Sequence, residues 1–201
     1  MWKYMLVGFV AATTVALPSH AQSAGDAWNI DAAHSAVKFI VKHLMVSSVS
    51  GTFHDLTGTV LYDGKDLSKA SVNALIGAGS IDTQIQPRDE HLRSKDIFDV
   101  AQFPTINFKS NKIVPTGDGG FKITGTLNMH GVSHEVVLDS SPLTPVVRDA
   151  ENKLHTGTIA TAELNRKDFG VFVDRAIDHG STVVGENVKI QLQVALVKSA
   201  N

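Results

Sequence analysis

Histidine is the side chain with the clearest potential for chemistry in this chain of 201 residues, which contains nine histidines and no cysteine. His130 and His134 are four residues apart, the spacing at which two imidazoles on one helix face bind a metal ion. Gly131 lies between them and alternating patterns flank them, so the sequence predicts a hairpin turn on which they need not converge. Further histidines are scattered, and a metal- or haem-dependent enzyme would require them to meet in space: His34, His43, His54, His91, His155 and His179.

Motifs for other kinds of catalysis are missing from the sequence. It has no Gly-x-Ser-x-Gly elbow for a nucleophilic serine and no glycine-rich phosphate loop. Asp89 and Glu90 stand at the start of a predicted helix, where carboxylates interact favourably with the helix dipole. The absence of cysteine excludes thiol catalysis, and a formal charge of −2 lacks the basic footprint of a nucleic-acid-binding protein. We therefore predict no catalytic residue, no metal ligand, no cofactor and no nucleic-acid partner.

The first 21 residues have the layout of a secretory signal peptide. A short, positively charged start precedes the uncharged apolar run 5–17, and Ser19 and Ala21 are the small residues that a signal peptidase recognises. The apolar run is too short to cross the ~30 Å hydrocarbon core of a membrane. We predict cleavage after Ala21, export to a bacterial periplasm, and a single mature domain at 22–201.

Apolar and polar residues alternate with period two along most of this domain, which is typical of strands with one buried and one exposed face. Five clear runs and three weaker ones predict about eight strands: 37–41, 72–78, 106–109, 121–129 and 188–196, then 51–62, 135–140 and 154–164. Turn signals separate them at Asp63-Gly64, at 116–120 and at 130–133. One helix is predicted at 87–98, which starts with proline and has acids before bases, and a helical turn at 43–48. This pattern predicts an all-β barrel or sandwich.

The residues alone leave two interpretations of the interior of such a barrel. Many inward-facing candidates are small, which would leave room for a ligand: Ala36, Ala74, Ala78, Ala160 and Ala162. A fully packed core can also use alanine. The corresponding alternative function is a packed structural or stress protein that binds partners through its strand edges.

Five blocks of the sequence resemble the YceI-like family: WNIDAAHSAVKFIVKHLMVSSVSGTF, RDEHLRSKDIFDVAQFPTINFKS, GTLNMHGVSHEVVL, LNRKDFGVF and GENVKIQLQVALVK. The blocks follow one another in order across 28–198. The resemblance implies a periplasmic, lipocalin-like, eight-stranded antiparallel barrel with one or two short helices and a hollow interior. It implies a non-enzymatic protein that holds a long-chain isoprenoid or similar lipid, such as a polyprenyl chain, a quinone or a fatty amide. A homodimer and a transient membrane contact would be compatible with this resemblance.

We expect such a ligand to lie against the inward faces of the strands and to reach the ends of the barrel. The predicted lumen residues are Phe39, Val41, Val72, Ile76, Phe108, Ile123, Leu127, Ile159, Ile190 and Leu192, and the predicted aromatic residues at the ends are Phe98, Phe103 and Phe169. A slip of one residue in the register of a strand would exchange its inward and outward sets.

Four polar residues near the predicted helix and the later loop are candidates for binding a head group: Arg88, His91, Arg93 and Arg166. Arginine suits a pyrophosphate because its guanidinium fork donates to two oxygens at once. The alternative is that these arginines fix the helix and the loop to the rim of the barrel.

Overall fold

The computed structural model describes residues 25–173 and 183–199, so the predicted signal peptide and His179 lie outside the described residues. Within these two ranges the chain forms twelve strands, one α-helix and three short 3-10 turns. The strands are β1 (Asp26–Ile30), β2 (Ala36–His43), β3 (Ser47–Phe53), β4 (Leu56–Tyr62), β5 (Ser71–Gly77), β6 (Ile81–Asp82), β7 (Thr105–Pro115), β8 (Phe121–Met129), β9 (Val132–Ser140), β10 (Val147–Arg148), β11 (Leu154–Asn165) and β12 (Val184–Lys198). The helix α1 spans Gln86–Arg93, and the 3-10 turns span Leu67–Lys69, Ala78–Ser80 and Arg166–Phe169.

The strands form a closed ring of eight antiparallel arms, because the first six strands combine in pairs. β1 and β2 follow one another along the same side of β12, with Trp28 opposite Lys198 and Val41 opposite Val188. β4 and β3 lie against this first arm, and β5 and β6 lie against β4 and β3. β7, β8, β9, β11 and β12 complete the ring. The prediction of an all-β fold with an eight-stranded antiparallel barrel and a short helix is confirmed.

The two strands that flank β11 are joined to it to very different extents. Eleven residue pairs connect β11 with β12, from His155 opposite Val197 to Asn165 opposite Asn187. β9 shares only two pairs with β11, Ala160 with Ser140 and Thr161 with Asp139, although both strands lie wholly within the described residues. On the helix-end side of that short ladder, the 3-10 turn Arg166–Phe169 packs against β9. On the turn-end side, the N–H groups of Ser141 and Thr144 continue the connection by donating to the carbonyls of Ile159 and Gly157.

The barrel has two ends that are built from different elements. What we call the helix end contains α1, the β2–β3 turn at 44–46, the β8–β9 turn at 130–131 and the 3-10 turn at 166–169. What we call the turn end contains the loops 63–70, 116–120 and 141–153. Antiparallel pairing assigns each connection to its end, since neighbouring strands run in opposite directions.

Two local predictions from the sequence need correction. The helix ends at Arg93 and not at residue 98, because Ser94 is extended (φ −66°, ψ 167°) and donates a side-chain hydrogen bond to the carbonyl of His91. The predicted helical turn at 43–48 is wrong, since β2 pairs with β3 up to His43 opposite Ser47 and a tight turn joins them. The hairpin at 130–133 is confirmed: His130 and Gly131 have φ values of 53° and 77° and join β8 to β9.

Candidate ligand-binding cavity

A cavity of about 240 Å³ lies inside the barrel and is lined by residues from every arm. Well-packed protein interiors leave few voids larger than a single water molecule. A void of this size is close to the lower end of the range for small-molecule sites, about 300–1,000 Å³. The interior is therefore hollow, as the resemblance implied, and is not a packed core.

The cavity wall is apolar because each strand presents alternate residues to it. Small and β-branched side chains make room on several arms, among them Val60, Ala74 and Ala162. Four lining side chains carry a nitrogen or oxygen atom: Trp28, Tyr62, Thr158 and Arg166. Such a wall suits a hydrocarbon ligand with few polar atoms.

Nine of the ten predicted lumen residues line the cavity: Phe39, Val41, Val72, Ile76, Phe108, Ile123, Leu127, Ile190 and Leu192. Ile159 is not among the described lining residues, because its side chain points outward and is 46% exposed. Thr158, Ala160 and Ala162 line the cavity in its place. Around Ile159, the small residues face inward and the large apolar residue faces outward, so the local pattern indicates the opposite register, although Leu164 lines the cavity from the same face as the alanines.

The three predicted aromatic residues at the ends have different positions. Phe98 lines the cavity and packs edge-on against Phe53, with ring centroids 5.9 Å apart. Phe103 is not among the described lining residues and packs against the His130 ring at 4.7 Å. Phe169 is 2% exposed, lies outside the described cavity wall, and contacts the ring of His134 at 5.2 Å. One of the three therefore lines the cavity, and the other two pack at the helix end.

Arg88 and Arg93 hold helix α1 against the segment that precedes it. Arg88 donates from Nε to the Thr83 hydroxyl at 2.7 Å and from Nη2 to the Thr83 carbonyl at 2.8 Å. Arg93 donates from Nε to the carbonyl of Gly79 at 2.8 Å and from Nη2 to that of Ile81. Neither arginine is among the described lining residues, and His91 is exposed on the helix. This geometry corresponds to the interpretation in which the arginines fix the helix to the rim.

Arg166 is buried at the helix end and lines the cavity. Its guanidinium donates to the carbonyls of Gly185 at 2.9 Å, Val171 at 2.7 Å and Val184 at 3.0 Å. These bonds connect the end of β11, the segment after the 3-10 turn, and the beginning of β12. Arg166 therefore joins three pieces of chain at the rim of the cavity.

A different polar group lies in the wall towards the turn end. Trp28 is 5% exposed and lines the cavity, and its indole Nε1 has no hydrogen-bond partner among the described residues. Tyr62 lines the same part of the wall, and burial, reinforced by Asp63 and Asp66, raises the pKa of its hydroxyl. Trp28 is not among the site residues predicted from the sequence. Its alternation with Asn29 and Ile30 indicates an inward position, but only the folded chain shows that its N–H lacks an acceptor.

The histidines do not gather into a metal site in the part of the chain that the structure describes. No group of three or more histidine or acidic side chains is close enough there to hold a metal ion. Three histidines instead contact single aspartates: His34 with Asp31, His54 with Asp82 and His155 with Asp149. In the same ranges, no helix is long and apolar enough to cross a membrane.

Comparison with protein families gives a match to the model of the YceI-like domain over residues 28–196. The chain belongs to the YceI-like family. A curated relative is a UPF0312 protein from Shewanella denitrificans, which is 30% identical over 198 residues and is aligned over 98% of this chain and 100% of its own length. The family match spans every arm of the barrel described above.

Solved structures resemble this YceI-like barrel over most of its length. BcnA from Burkholderia cenocepacia has a TM-score of 0.70 at 22% identity, covering 83% of this chain and 98% of that protein. A polyisoprenoid binding domain from Saccharophagus degradans, implicated in plant cell wall breakdown, has a TM-score of 0.63 at 15% identity, covering 87% and 99% of the two chains. At these identities the likeness shows that the fold is shared.

Proposed function

We propose that this YceI-like protein is a non-enzymatic binding or carrier protein that holds a long-chain isoprenoid or similar lipid inside its barrel. The observation that carries the proposal is the apolar cavity of about 240 Å³, which is lined by all eight arms. The polyisoprenoid binding domain with the same fold supports this class of ligand. The signal-peptide pattern of the first 21 residues supports a periplasmic location.

The free energy of burying a lipid chain is sufficient for binding without a catalytic or charged group. Each buried methylene group contributes about 0.8 kcal/mol, so roughly sixteen carbons give ~13 kcal/mol before losses. Ordering a flexible chain and losing its free motion remove a large part of this gain. The remainder is consistent with micromolar or tighter affinity, about −8 kcal/mol.

The first experiment identifies a bound molecule. The protein is purified from periplasm without detergent, and its organic extract is analysed beside native mass spectrometry of the intact complex. We expect a prenyl, quinone or acyl species at one copy per barrel. An empty extract, followed by no binding of a long-chain prenol in a titration, would contradict the proposal.

A pair of neighbouring substitutions in β11 tests whether the lipid occupies the cavity. Ala162→Trp places a large ring in the cavity, whereas Thr161→Trp places the same ring on the exposed outer face of the strand. We expect Ala162→Trp to weaken prenol binding at least tenfold, because the ring fills space that the chain needs, about 1.4 kcal/mol or more. Thr161→Trp should bind as the unaltered protein does. Equal affinities for both variants would place the ligand outside the barrel.

A further inference from the structure

The Trp28 side chain combines almost complete burial with an unused hydrogen-bond donor. The residue is 5% exposed, and its Nε1 is the buried side-chain nitrogen or oxygen without a partner among the described residues. Buried polar groups in folded proteins are hydrogen-bonded with few exceptions, and each exception needs an explanation. A functional site is one such explanation, because an unpaired donor in an apolar cavity strengthens the binding of a matching acceptor.

The position of Trp28 limits what can reach it. It belongs to β1, opposite Val60 of β4 and Lys198 of β12, so its ring lies in the wall towards the turn end. Val60 and Tyr62 line the cavity beside it. At the rim, the Lys198 ammonium pairs with the Asp26 carboxylate at 2.5 Å. The ring of Trp28 thus borders the apolar interior, and its Nε1 lies within the wall.

We infer that Trp28 is a specificity-determining residue whose indole N–H binds a neutral oxygen acceptor on the lipid ligand, such as a ketone, quinone, amide or hydroxyl oxygen. Indole Nε1 only donates, so the ligand atom must accept. A charged phosphate is disfavoured at this depth, because an anion in an apolar wall needs a paired cation. A pure hydrocarbon offers no acceptor. This inference rests on the proposed function and narrows its ligand class.

The test compares two probes that differ only at the acceptor. One is a long-chain prenyl methyl ketone, and the other is the matching hydrocarbon in which a methylene group replaces the carbonyl. We expect the ketone to bind about tenfold more tightly than the hydrocarbon, as one buried hydrogen bond allows. Trp28→Phe should remove this difference while the hydrocarbon affinity changes little. Affinities are measured by native mass spectrometry, which does not depend on tryptophan fluorescence.

A control variant and a spectroscopic measurement separate recognition from packing. Phe121→Leu alters the cavity wall without changing a polar atom, so it should weaken both probes equally. In the unaltered protein, the ¹H–¹⁵N signal of the Trp28 indole, assigned with Trp28→Phe, should shift with the ketone and not with the hydrocarbon. A ketone preference that survives Trp28→Phe, or an indole signal that responds equally to both probes, would overturn the inference. Failure of both probes to bind would overturn the proposed function as well.

A separate observation concerns the turn between β2 and β3 at the helix end. Leu44, Met45 and Val46 are consecutive apolar residues with exposures of 39%, 66% and 84%. Leu44 and Met45 have φ values of 52° and 61°, a conformation that hairpin turns ordinarily give to Asn, Asp or Gly. The hairpin 36–53 contains the exposed Lys38 and Lys42 and no acidic residue. Its tip is thus apolar, and its arms are basic.

We propose that this tip docks on a lipid bilayer that contains anionic head groups. Apolar side chains insert at the interface between head groups and acyl chains, and basic residues beside them attract the negative surface. The tip lies at the end of the barrel where Val41 and Val184, both lining residues, flank the cavity. This proposal does not depend on Trp28 or on the identity of the ligand.

Vesicle binding of the full chain tests the docking surface. We expect the protein to bind to phosphatidylglycerol–phosphatidylethanolamine vesicles and to bind more weakly to phosphatidylcholine vesicles. Binding to the anionic vesicles should decrease when salt is added. Met45→Asp with Val46→Asp should reduce this binding at least tenfold. Val146→Asp with Val147→Asp is the matched control, since these valines are 55% and 59% exposed at the turn end. It should leave binding unchanged.

Three results would overturn the docking proposal. The first is that the unaltered protein binds to no vesicle. The second is that the two double variants lose equal amounts of vesicle binding. The third is that the tip variant changes the oligomeric state in light scattering while its vesicle binding persists. The last result would identify a second copy of the chain as the occupant of the tip. Prenol binding in the absence of vesicles should be the same for the tip variant and the unaltered protein.

Discussion

The helix end and the turn end of the barrel differ in the charge of the side chains that mainly bind their backbone groups. At the helix end, the guanidinium groups of Arg88, Arg93 and Arg166 donate to backbone carbonyls. At the turn end, carboxylates accept from backbone N–H groups, as Asp63 does from Lys65 at 2.8 Å and Asp149 does from Glu151 at 2.8 Å. The division is not complete, because Asp89 accepts from the Thr83 N–H at 2.9 Å at the helix end and Arg148 donates to the Asn152 carbonyl at 2.9 Å at the turn end.

This difference makes the turn end the more sensitive of the two to acid. Arginine stays protonated throughout the accessible pH range, so its bonds do not titrate. Four turn carboxyl groups have a lowered pKa, and the largest cause is a hydrogen bond in each case: to Asp63 from the Asp66 N–H, to Asp66 from the Ser68 hydroxyl, to Asp118 from the Thr116 hydroxyl, and to Asp149 from the His155 ring. These bonds weaken when the carboxylates are protonated.

The largest effect is expected from Arg166→Met at the helix end. The variant removes a buried cation and leaves the carbonyls of Val171, Val184 and Gly185 without their donor. We expect a loss of about 3 kcal/mol in the free energy of unfolding, measured in urea. Lys167→Met is the neighbouring control, since its pair with Glu186 is partly exposed and contributes at most ~1 kcal/mol. Equal losses for both variants would contradict the role of Arg166 as a connector.

A smaller effect at the same end is expected from Arg93→Met. This side chain is partly exposed and donates to the carbonyls of Gly79 and Ile81, so its loss should cost about 1–2 kcal/mol of unfolding free energy. Lys95→Met, at an exposed position two residues later, serves as the control and should change stability little. Hydrogen exchange should also become faster in α1, which Arg93 fixes to β6.

Acidification should loosen the turn end before the helix end. A carboxyl group with a lowered pKa in the folded state contributes stability above its unfolded pKa of about 3.9 and loses it as the pH falls through the folded pKa. Hydrogen exchange, corrected for intrinsic rates, should therefore accelerate below about pH 3.9 at the amides of Lys65 and Lys153 but not at Ser94. The Gln84 N–H is an exception at the helix end, because it donates to Asp82 and lowers the pKa of that carboxyl group. If hydrogen exchange accelerated as much at Ser94 as at Lys65, the expected difference in acid sensitivity between the two ends would be contradicted.

The smallest effect is expected from Asp149→Asn. The amide keeps the shape of the side chain but removes the negative charge next to His155, whose Nε2 lies 2.8 Å from Oδ2 of Asp149. It also removes one of the two carboxylate acceptors, while the oxygen that accepts from the Lys153 N–H can be kept. Because the carboxylate is exposed, we expect a slight decrease in melting temperature at neutral pH and none below the pH at which Asp149 is protonated. An equal decrease at both pH values would show that the charge is not the cause.

The barrel was predictable from the sequence because most strands have one strictly apolar face. Apolar and polar residues alternate along β8 apart from Gly125 and over 188–194 of β12, and the predicted residues Ile123, Leu127 and Ile190 line the cavity. The middle of β11 does not follow this pattern, because the small residues Ala160 and Ala162 face inward while Ile159 is exposed to water. A hydrophobic pattern reports which residues avoid water, and a wall that leaves space for a ligand weakens that pattern.

The chemistry of the site was less predictable than its wall. Arginines near a predicted mouth indicate anion binding, yet Arg88 and Arg93 donate to backbone carbonyls five and fourteen residues earlier in the chain, and no sequence pattern indicates these bonds. The unpartnered N–H of Trp28 is a property of the folded chain, because it depends on the residues that fail to reach it. The sequence shows which groups can donate a hydrogen bond, and only the structure shows which donors have no acceptor.

The short ladder between β9 and β11 has a consequence for the rate at which an enclosed molecule escapes. Proteins open locally where the fewest cooperative interactions must break. On the helix-end side of this seam no strand pairing is described between 132–138 of β9 and 162–165 of β11, whereas β11 pairs with β12 over eleven residues. Phe169, packed on His134, closes the gap that the ladder leaves. We expect the residence time of any molecule bound in the barrel to be set by sideways parting of these strands, so that affinity and off-rate can be changed separately.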